Sequence, residues 1–428
     1  MNPTPHPSRR TFLKTAGAAT SLAVAAPYLA LGQKATPPSG RLRVGVMGLS
    51  RGLAHVTGFA KVPGVEIVAL CDVDSQRLAS GVEVAEKATG AKPQAVTDVR
   101  RILDDESIDV LSIAAPNFWH TPATVLACAA GKHVYVEKPG SYCAREAELI
   151  ALAASTHDRR VQMGAQRRSL PLIREAIERL GAGDIGTLRT ARCFYNANRG
   201  SIGTGSEAPV PEHLDYALWQ GPAPARPYHD NIVHYNWHWT WHWGNGELGN
   251  NGVHALDIAR WGLGVDLPIT TVCHGGRYHF DDDQETPDTA IASFDFGRVS
   301  ATWEGSSCLP RKNENLPFVA FYGDGGTLAL SGGHAYEIFD LDGKVLESKS
   351  DAFSDVPHFQ NFADSIREGA PLNLPIDEAQ KAALMCHLGN ISHRTREVVR
   401  IDPDDLAGSR GLLGWSRDAY HPDWEPKV

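Results

Sequence analysis

Apolar residues in this chain fall into two regimes. Up to about residue 166 they gather in short unbroken runs separated by segments of helical character. Leu42–Met47 and Val65–Cys71 are such runs, as are residues 110–114 and 133–136, and a helical stretch at 121–130 is stopped by Gly131. Strands that alternate with helices predict a parallel sheet, with ligands at the carboxyl ends of its strands. From about residue 167 the pattern changes. A helical segment at 172–180 leads into alternating runs at 188–195, 289–296, 300–304 and 318–322, whose spacing predicts a large, mostly antiparallel sheet.

The first strand ends in Gly48-Leu49-Ser50-Arg51-Gly52. Small residues at such a strand-to-helix turn let backbone amides approach a pyrophosphate, which the helix N-terminus then stabilises. The glycine fingerprint is imperfect, because Ser50 takes the second glycine position and Gly52 comes one place early. Context strengthens it: the second strand ends at Asp72, about 20 residues on, where a ribose-binding acid is expected. An acid there accepts from both ribose hydroxyls and repels a 2′-phosphate, so NAD is expected over NADP. The fold class is therefore α/β, an N-terminal Rossmann sheet plus a C-terminal α+β domain. Pro116, Asn117, His120, Glu137 and Lys138 all fall at strand ends and join Gly48, Ser50, Arg51, Gly52 and Asp72 as expected cofactor contacts.

At 428 residues, two folded units are expected. They are placed at 41–166, for the dinucleotide, and 167–428, for substrate and oligomerisation, after a linker at 33–40. Residues 1–32 read as a twin-arginine export signal: Arg9-Arg10 and Phe12-Leu13-Lys14 precede an Ala-rich run too diluted by Thr and Ser to span a bilayer. Cleavage is expected near Ala30-Leu31-Gly32, with delivery to the periplasm or beyond and no stable membrane span. A net charge of −9 without any basic cluster argues against nucleic acid as a partner. Cys71, Cys128, Cys143, Cys193, Cys273, Cys308 and Cys386 show no paired spacing and read as buried free thiols.

Ala115-Pro116-Asn117 with His120, followed by Gly131-Lys132-His133-Val134-Tyr135-Val136-Glu137-Lys138-Pro139, resembles the glucose-fructose oxidoreductase, inositol dehydrogenase and MocA family. The similarity runs through 161–168, which resembles that family's last Rossmann strand. The resemblance implies a two-domain sugar or polyol oxidoreductase, dimeric or tetrameric, in which Lys138 lies beside the nicotinamide and the reacting carbinol. Residues 246–257 resemble the family's substrate-domain helix, whose Asp and His lie four apart and share a face. His254 matches that His, a plausible proton acceptor with an ordinary pKa of about 6.5. Asn250 stands where the family has Asp and cannot take up a proton. Either Lys138 and His254 transfer the proton themselves, or Asn250 only orients substrate while an acid elsewhere contributes, with Glu247 and Asp257 the weaker candidates.

Just upstream, strict alternation over 235–243 would place four indoles on one strand face, with His238, Thr240 and His242 on the other. Trp239, Trp241 and His242 are thus expected, with Asp257, to form a substrate wall, a subunit contact being the equal alternative. His238, His242, His254 and Asp257 have suitable ligand chemistry but no defining spacing, and no metal is expected. Arg167 is expected to contact cofactor or substrate, and the sequence does not separate it from Arg168. The implied activity is hydride exchange between a secondary alcohol of a sugar or cyclitol and a tightly held nicotinamide. Its alternative is an NAD-dependent glycosidase or lyase working through a transient keto-sugar, as in some members of the family. A sensor without catalysis is disfavoured because Lys138 and His254 are both present.

Overall fold

Strands of a parallel sheet covered on both faces must be apolar along their length, and the N-terminal runs are buried in this way. The computed structural model describes residues 40–428 apart from 333. The expected signal at 1–32 and the linker at 33–40, save Gly40, lie outside the described residues. In chain order the first elements are β1 (Leu42–Met47), α1 (Gly52–Phe59), β2 (Val65–Cys71), α2 (Ser75–Thr89), β3 (Gln94–Val96), β4 (Val110–Ile113), α3 (Asn117–Ala129), β5 (His133–Glu137), α4 (Ala144–Thr156) and β6 (Val161–Gly164). All six strands are parallel, in the order β3-β2-β1-β4-β5-β6. The order reverses between β1 and β4, which opens a crevice at their carboxyl ends. Helix α3 starts at Asn117, four residues before the hydrophobic pattern places it, and contains Pro122. Its first turn is buried almost completely and shows no amphipathic period.

The remainder comprises α5 (Pro171–Ala182), β7 (Leu188–Asn196), α6 (Val253–Leu263), β8 (Thr270–Gly276), β9 (Thr289–Asp295), β10 (Ser300–Ser306), β11 (Val319–Gly323), β12 (Gly326–Ser331), β13 (Ala335–Phe339), β14 (Val345–Ser350), α7 (Val356–Glu368), α8 (Ile376–Thr395) and β15 (Val399–Arg400). Its nine strands run in the order β14-β13-β12-β11-β7-β10-β9-β8-β15. Neighbours are antiparallel except β7 with β10. Ala290, Ala292 and Phe294 of β9 and Ala301 and Trp303 of β10 face the core, whereas Ile291 and Val272 on the opposite face are exposed. That alternation is what a sheet covered by helices on one side requires.

The chain then returns to the first sheet. Phe359 and Phe362 of α7 are fully buried in the same cluster as Val44, Val46, Phe59 and Tyr135. The Phe359 ring lies 4.5 Å from Phe59 and 4.8 Å from Tyr135, burial that contributes about 1.5–3 kcal/mol. A Cβ on Gly58 would come within 2.3 Å of the Phe359 ring, so the glycine permits the close approach of α7 to α1. This anchoring brings Phe353 and Asp355, which precede α7, to the crevice. All seven cysteines are buried and unpaired. Among the described residues no helix is long and apolar enough to cross a membrane.

Candidate active site

A cleft of about 480 Å³ opens at the carboxyl edge of the parallel sheet. The β1–α1 turn contributes Gly48, Ser50 and Arg51, the end of β2 Asp72, and the β4–α3 junction Pro116, Asn117 and His120. Glu137, Lys138 and Arg167 line it from the far strands, and Asn250 and His254 face it from the second part of the chain. Gly48 has φ +84°, and a Cβ there would lie 2.7 Å from the backbone of Ala114 and Ala115. Only glycine holds this turn against β4. Gly52 does not line the cleft; it lies behind the turn, where a Cβ would meet Val46 at 3.2 Å, and its role is helix-to-strand packing. The Asp72 carboxylate accepts from the backbone N–H groups of Leu49 (2.7 Å) and Asp74 (2.9 Å). Burial raises its pKa more than those bonds lower it.

Glu137 is the electrostatic hub. Its Oε1 accepts from Arg51 Nε (3.1 Å) and Gln166 Nε2 (3.3 Å), and shares a hydrogen bond with His55 Nε2 (3.0 Å). Burial alone would raise the Glu137 carboxyl, yet His55, Arg51 and Lys138 together hold it well below the usual range. Arg51 also donates to Asp355 Oδ2 at 3.0 Å, so its guanidinium ties the turn to the segment before α7.

Lys138 Nζ donates to both the carbonyl oxygen and Oδ1 of Asn250, each at 2.7 Å. An ammonium has three donors, which leaves one for the cleft. Burial lowers the Lys138 pKa, opposed by Glu137 and Glu247. Asn250 lies in a π-helical turn, Leu248–Gly252, that runs into α6 and keeps residues 250 and 254 on one side. His254 differs from its expected state. Burial first, then the Arg167 and Lys138 charges, hold its pKa well below 6.5, and its buried Nδ1 has no hydrogen-bond partner among the described residues. The imidazole is neutral at physiological pH and a poor base.

The proposed substrate wall is corrected. Residues 236–239 form a 3-10 turn rather than a strand, so positions three apart come together. Trp239 is 1% exposed, inside the fold beneath Arg199, and Trp241 and His242 line a different cavity. The residues of this stretch that do reach the cleft are His234, Tyr235, Trp237 and His238. His238 stacks on Trp237 at 3.6 Å, donates from Nδ1 to the Tyr235 carbonyl at 2.6 Å, and has its pKa pushed by burial down to about 3. Asp257 is also turned away, because Arg168 Nε and Nη2 grip its two oxygens at 2.9 and 2.8 Å. Glu247 accepts from Ser307 Oγ at 2.8 Å and from Asn251, outside the cleft. Arg167 is thus separated from its neighbour: it faces the cleft, stacks 4.4 Å from Phe318, and burial lowers its pKa to about 10. Among the described residues no group of three His, Cys, Asp or Glu side chains is arranged to hold a metal ion.

Residues 42–165 match the family model described as "Oxidoreductase family, NAD-binding Rossmann fold", and residues 199–408 match "Oxidoreductase family, C-terminal alpha/beta domain". The chain belongs to the Gfo/Idh/MocA oxidoreductase family. Among curated relatives, the alpha-N-acetylgalactosaminidase of Shewanella oneidensis is 35% identical over 153 residues, 31% of this chain and 33% of that protein. A glycosyl hydrolase family 109 protein of Shewanella sp. is 33% identical over 171 residues, 35% of this chain and 37% of that protein. The match therefore spans about a third of the length of these relatives. Levoglucosan dehydrogenase, solved with NADH and levoglucosan, superimposes with a TM-score of 0.68 at 17% identity, covering 84% of this chain and 99% of that one. The WlbA dehydrogenase from Bordetella pertussis, solved with NADH and UDP-GlcNAcA, gives 0.63 at 17% identity, covering 85% and 99%. At these identities the likeness is one of fold.

In this member of the Gfo/Idh/MocA family, the residues present fit a dinucleotide. The Gly48 turn leaves room at the crevice that any Cβ would fill, and Asp72 lines the cleft at the end of β2. Gly48→Ala is expected to weaken NADH binding at least about tenfold, since left-handed strain of about 1–3 kcal/mol is relieved only by moving the turn. Fluorescence titration of NADH checks this, and unchanged affinity would separate the turn from the nucleotide.

Proposed function

We propose that the chain moves hydride between a secondary alcohol of a sugar or cyclitol and a nicotinamide dinucleotide held in the cleft. The observation that carries this reading is the Lys138 ammonium, fixed by Asn250 through two of its donors at the open end of the strand that carries Glu137. When bound, the nicotinamide supplies the hydride acceptor or donor. Neutral Lys138 takes the hydroxyl proton as the alcohol is oxidised and returns it in the reverse direction. His254, kept neutral, hydrogen-bonds the hydroxyl and orients it. Asn250 holds Lys138 without adding a negative charge, which favours a lowered pKa over a tight ion pair. Asp72 supports NAD over NADP, because a carboxylate there repels a 2′-phosphate. Screening sugars and cyclitols against NAD-loaded protein tests the reading; growth of NADH fluorescence with formation of a ketone is expected, and its absence across the screen counts against it.

Asn250→Asp gives a sharper test. A carboxylate beside the ammonium favours its charged form, so the Lys138 pKa rises. Oxidation needs Lys138 neutral, and the rising limb of the rate against pH should move to higher pH. A limb that stays in place would remove Lys138 from the proton path.

A second reading is favoured by the 35% identity to the Shewanella alpha-N-acetylgalactosaminidase. Here oxidation of the sugar is transient: the ketone acidifies the neighbouring C–H, the glycosidic bond is eliminated, water adds, and the hydride returns. The same Lys138 and His254 would serve. Aryl glycosides discriminate, since release of the aglycone without net NADH supports the cycle and net ketone supports the dehydrogenase. Such a closed cycle suits an enzyme exported through the twin-arginine route, where a soluble NAD pool is lacking. The exposed face of the nine-stranded sheet, with Val272 and Ile291, supports assembly as a homodimer or homotetramer.

A further inference from the structure

Beside the cleft, and sharing no lining residue with it, lies a second cavity of about 250 Å³. The Asn245 side chain stands between them: its Oδ1 accepts from Asn117 Nδ2 of the cleft at 2.7 Å, and its Nδ2 donates to the Tyr142 carbonyl at 2.6 Å. Three guanidinium groups, those of Arg226, Arg394 and Arg417, line this second cavity. Arg417 has a side chain only 5% exposed, held against the rings of Tyr142 at 3.8 Å and Tyr420 at 5.5 Å. Its Nε and Nη2 are buried and have no hydrogen-bond partner among the described residues. Elsewhere in the molecule this same edge grips carboxylates two-pronged, in Arg168 with Asp257 and in Arg189 with Asp324.

Glu146 is ion-paired with Arg417, yet among the described residues no acid hydrogen-bonds its fork. Glu146 Oε1 is 3.9 Å from Arg417 Nε, beyond hydrogen-bond reach, and its carboxylate accepts instead from Tyr142 N (3.0 Å) and Tyr420 Oη (2.8 Å). Glu285 on the cavity wall accepts from the Trp241 N–H at 2.5 Å, and Asp418 is exposed at the rim. Arg394 lies over Trp241 at 5.2 Å and Arg226 over Trp243 at 5.9 Å, and neither side chain has an ion pair among the described residues. A buried guanidinium with an idle fork is costly unless an anion fills it.

We propose that this cavity binds a small molecule bearing one oxyanion group, a carboxylate or a phosphate, received by the Nε–Nη2 edge of Arg417 and flanked by Arg226 and Arg394. Its volume suits a ligand of monosaccharide size. The site is distinct from the cleft, so it is open when the cleft is full.

Calorimetric titration of the NAD-saturated full chain with glucuronate and with inorganic phosphate, using glucose as the neutral control, tests it. At least one anion should bind saturably, one per chain, with affinity that falls as salt is added, at a site that loss of Arg417 or Arg394 weakens; glucose reports any sugar uptake by the cleft. Whichever anion binds more tightly identifies the carboxylate or phosphate source. Arg417→Gln and Arg394→Gln should each weaken binding roughly tenfold or more. If Arg417→Gln fails to fold, the exposed Arg394 decides alone. No saturable binding of either anion, or binding that is equal in wild type and the folded variants, overturns the proposal.

Discussion

Replacing Lys138 by Met should lower kcat by about 10²- to 10⁴-fold, the range expected when a positioned acid–base group is removed. The ammonium's partners make the loss specific. Both hydrogen bonds that Nζ donates among the described residues go to Asn250, so the substitution frees a neutral amide and leaves no buried charge unpaired on that side. Glu137 keeps Arg51, His55 and Gln166 and stays ionised. NADH affinity and thermal stability should therefore change little while turnover collapses. Steady-state kinetics beside an NADH titration checks this. A parallel fall in affinity would mean that Lys138 holds the cofactor rather than serving the proton.

The largest effect on stability is expected at Arg168. Its side chain is 5% exposed and that of Asp257 1%, so the pair is out of water on both sides. Arg168→Met leaves the Asp257 carboxylate buried without its two-pronged partner, and breaking such a pair costs about 3–5 kcal/mol. Glu378, 3.7 Å from Arg168, keeps Arg260 and Lys381 as partners in the variant, so the loss is centred on Asp257. Replacing both members, Arg168→Met with Asp257→Leu, should recover most of the loss, because an apolar pair of similar volume avoids the burial of charge. Denaturant unfolding of the two variants measures the difference. An Asp257→Leu single variant as stable as wild type would contradict the account of this pair.

The parallel sheet and the cofactor edge were legible because their information is local. A buried strand is an apolar run, and the residues at its carboxyl end, Asp72, Pro116, Asn117 and Lys138, inherit their place from the strand. Asn250 and His254 followed from helical spacing and the family resemblance. What escaped the sequence depends on distant parts of the chain meeting. Nothing local marks His55 as the partner of Glu137, 82 positions away, or Asp355 as the partner of Arg51. Arg167 and Arg168 are chemically identical neighbours, and only the fold shows that one faces the cleft and the other Asp257. The Trp-rich stretch misled because every second residue being Trp mimics a strand, while the chain turns at 236–239 and again where the Gly244 N–H bonds the Thr240 carbonyl. The shift of the His254 pKa likewise comes from burial and from charges on other segments, which no residue type reveals.

The central claim is that a dinucleotide crosses the carboxyl edge of the parallel sheet with its reactive ring beside Lys138. A crystal structure of the chain grown with NAD tests it most directly. The account predicts the adenosine ribose at Asp72, the pyrophosphate at the Gly48 turn and the nicotinamide within reach of Lys138 and His254. A dinucleotide bound elsewhere, or one whose nicotinamide lies away from Lys138 in the cleft, would contradict it.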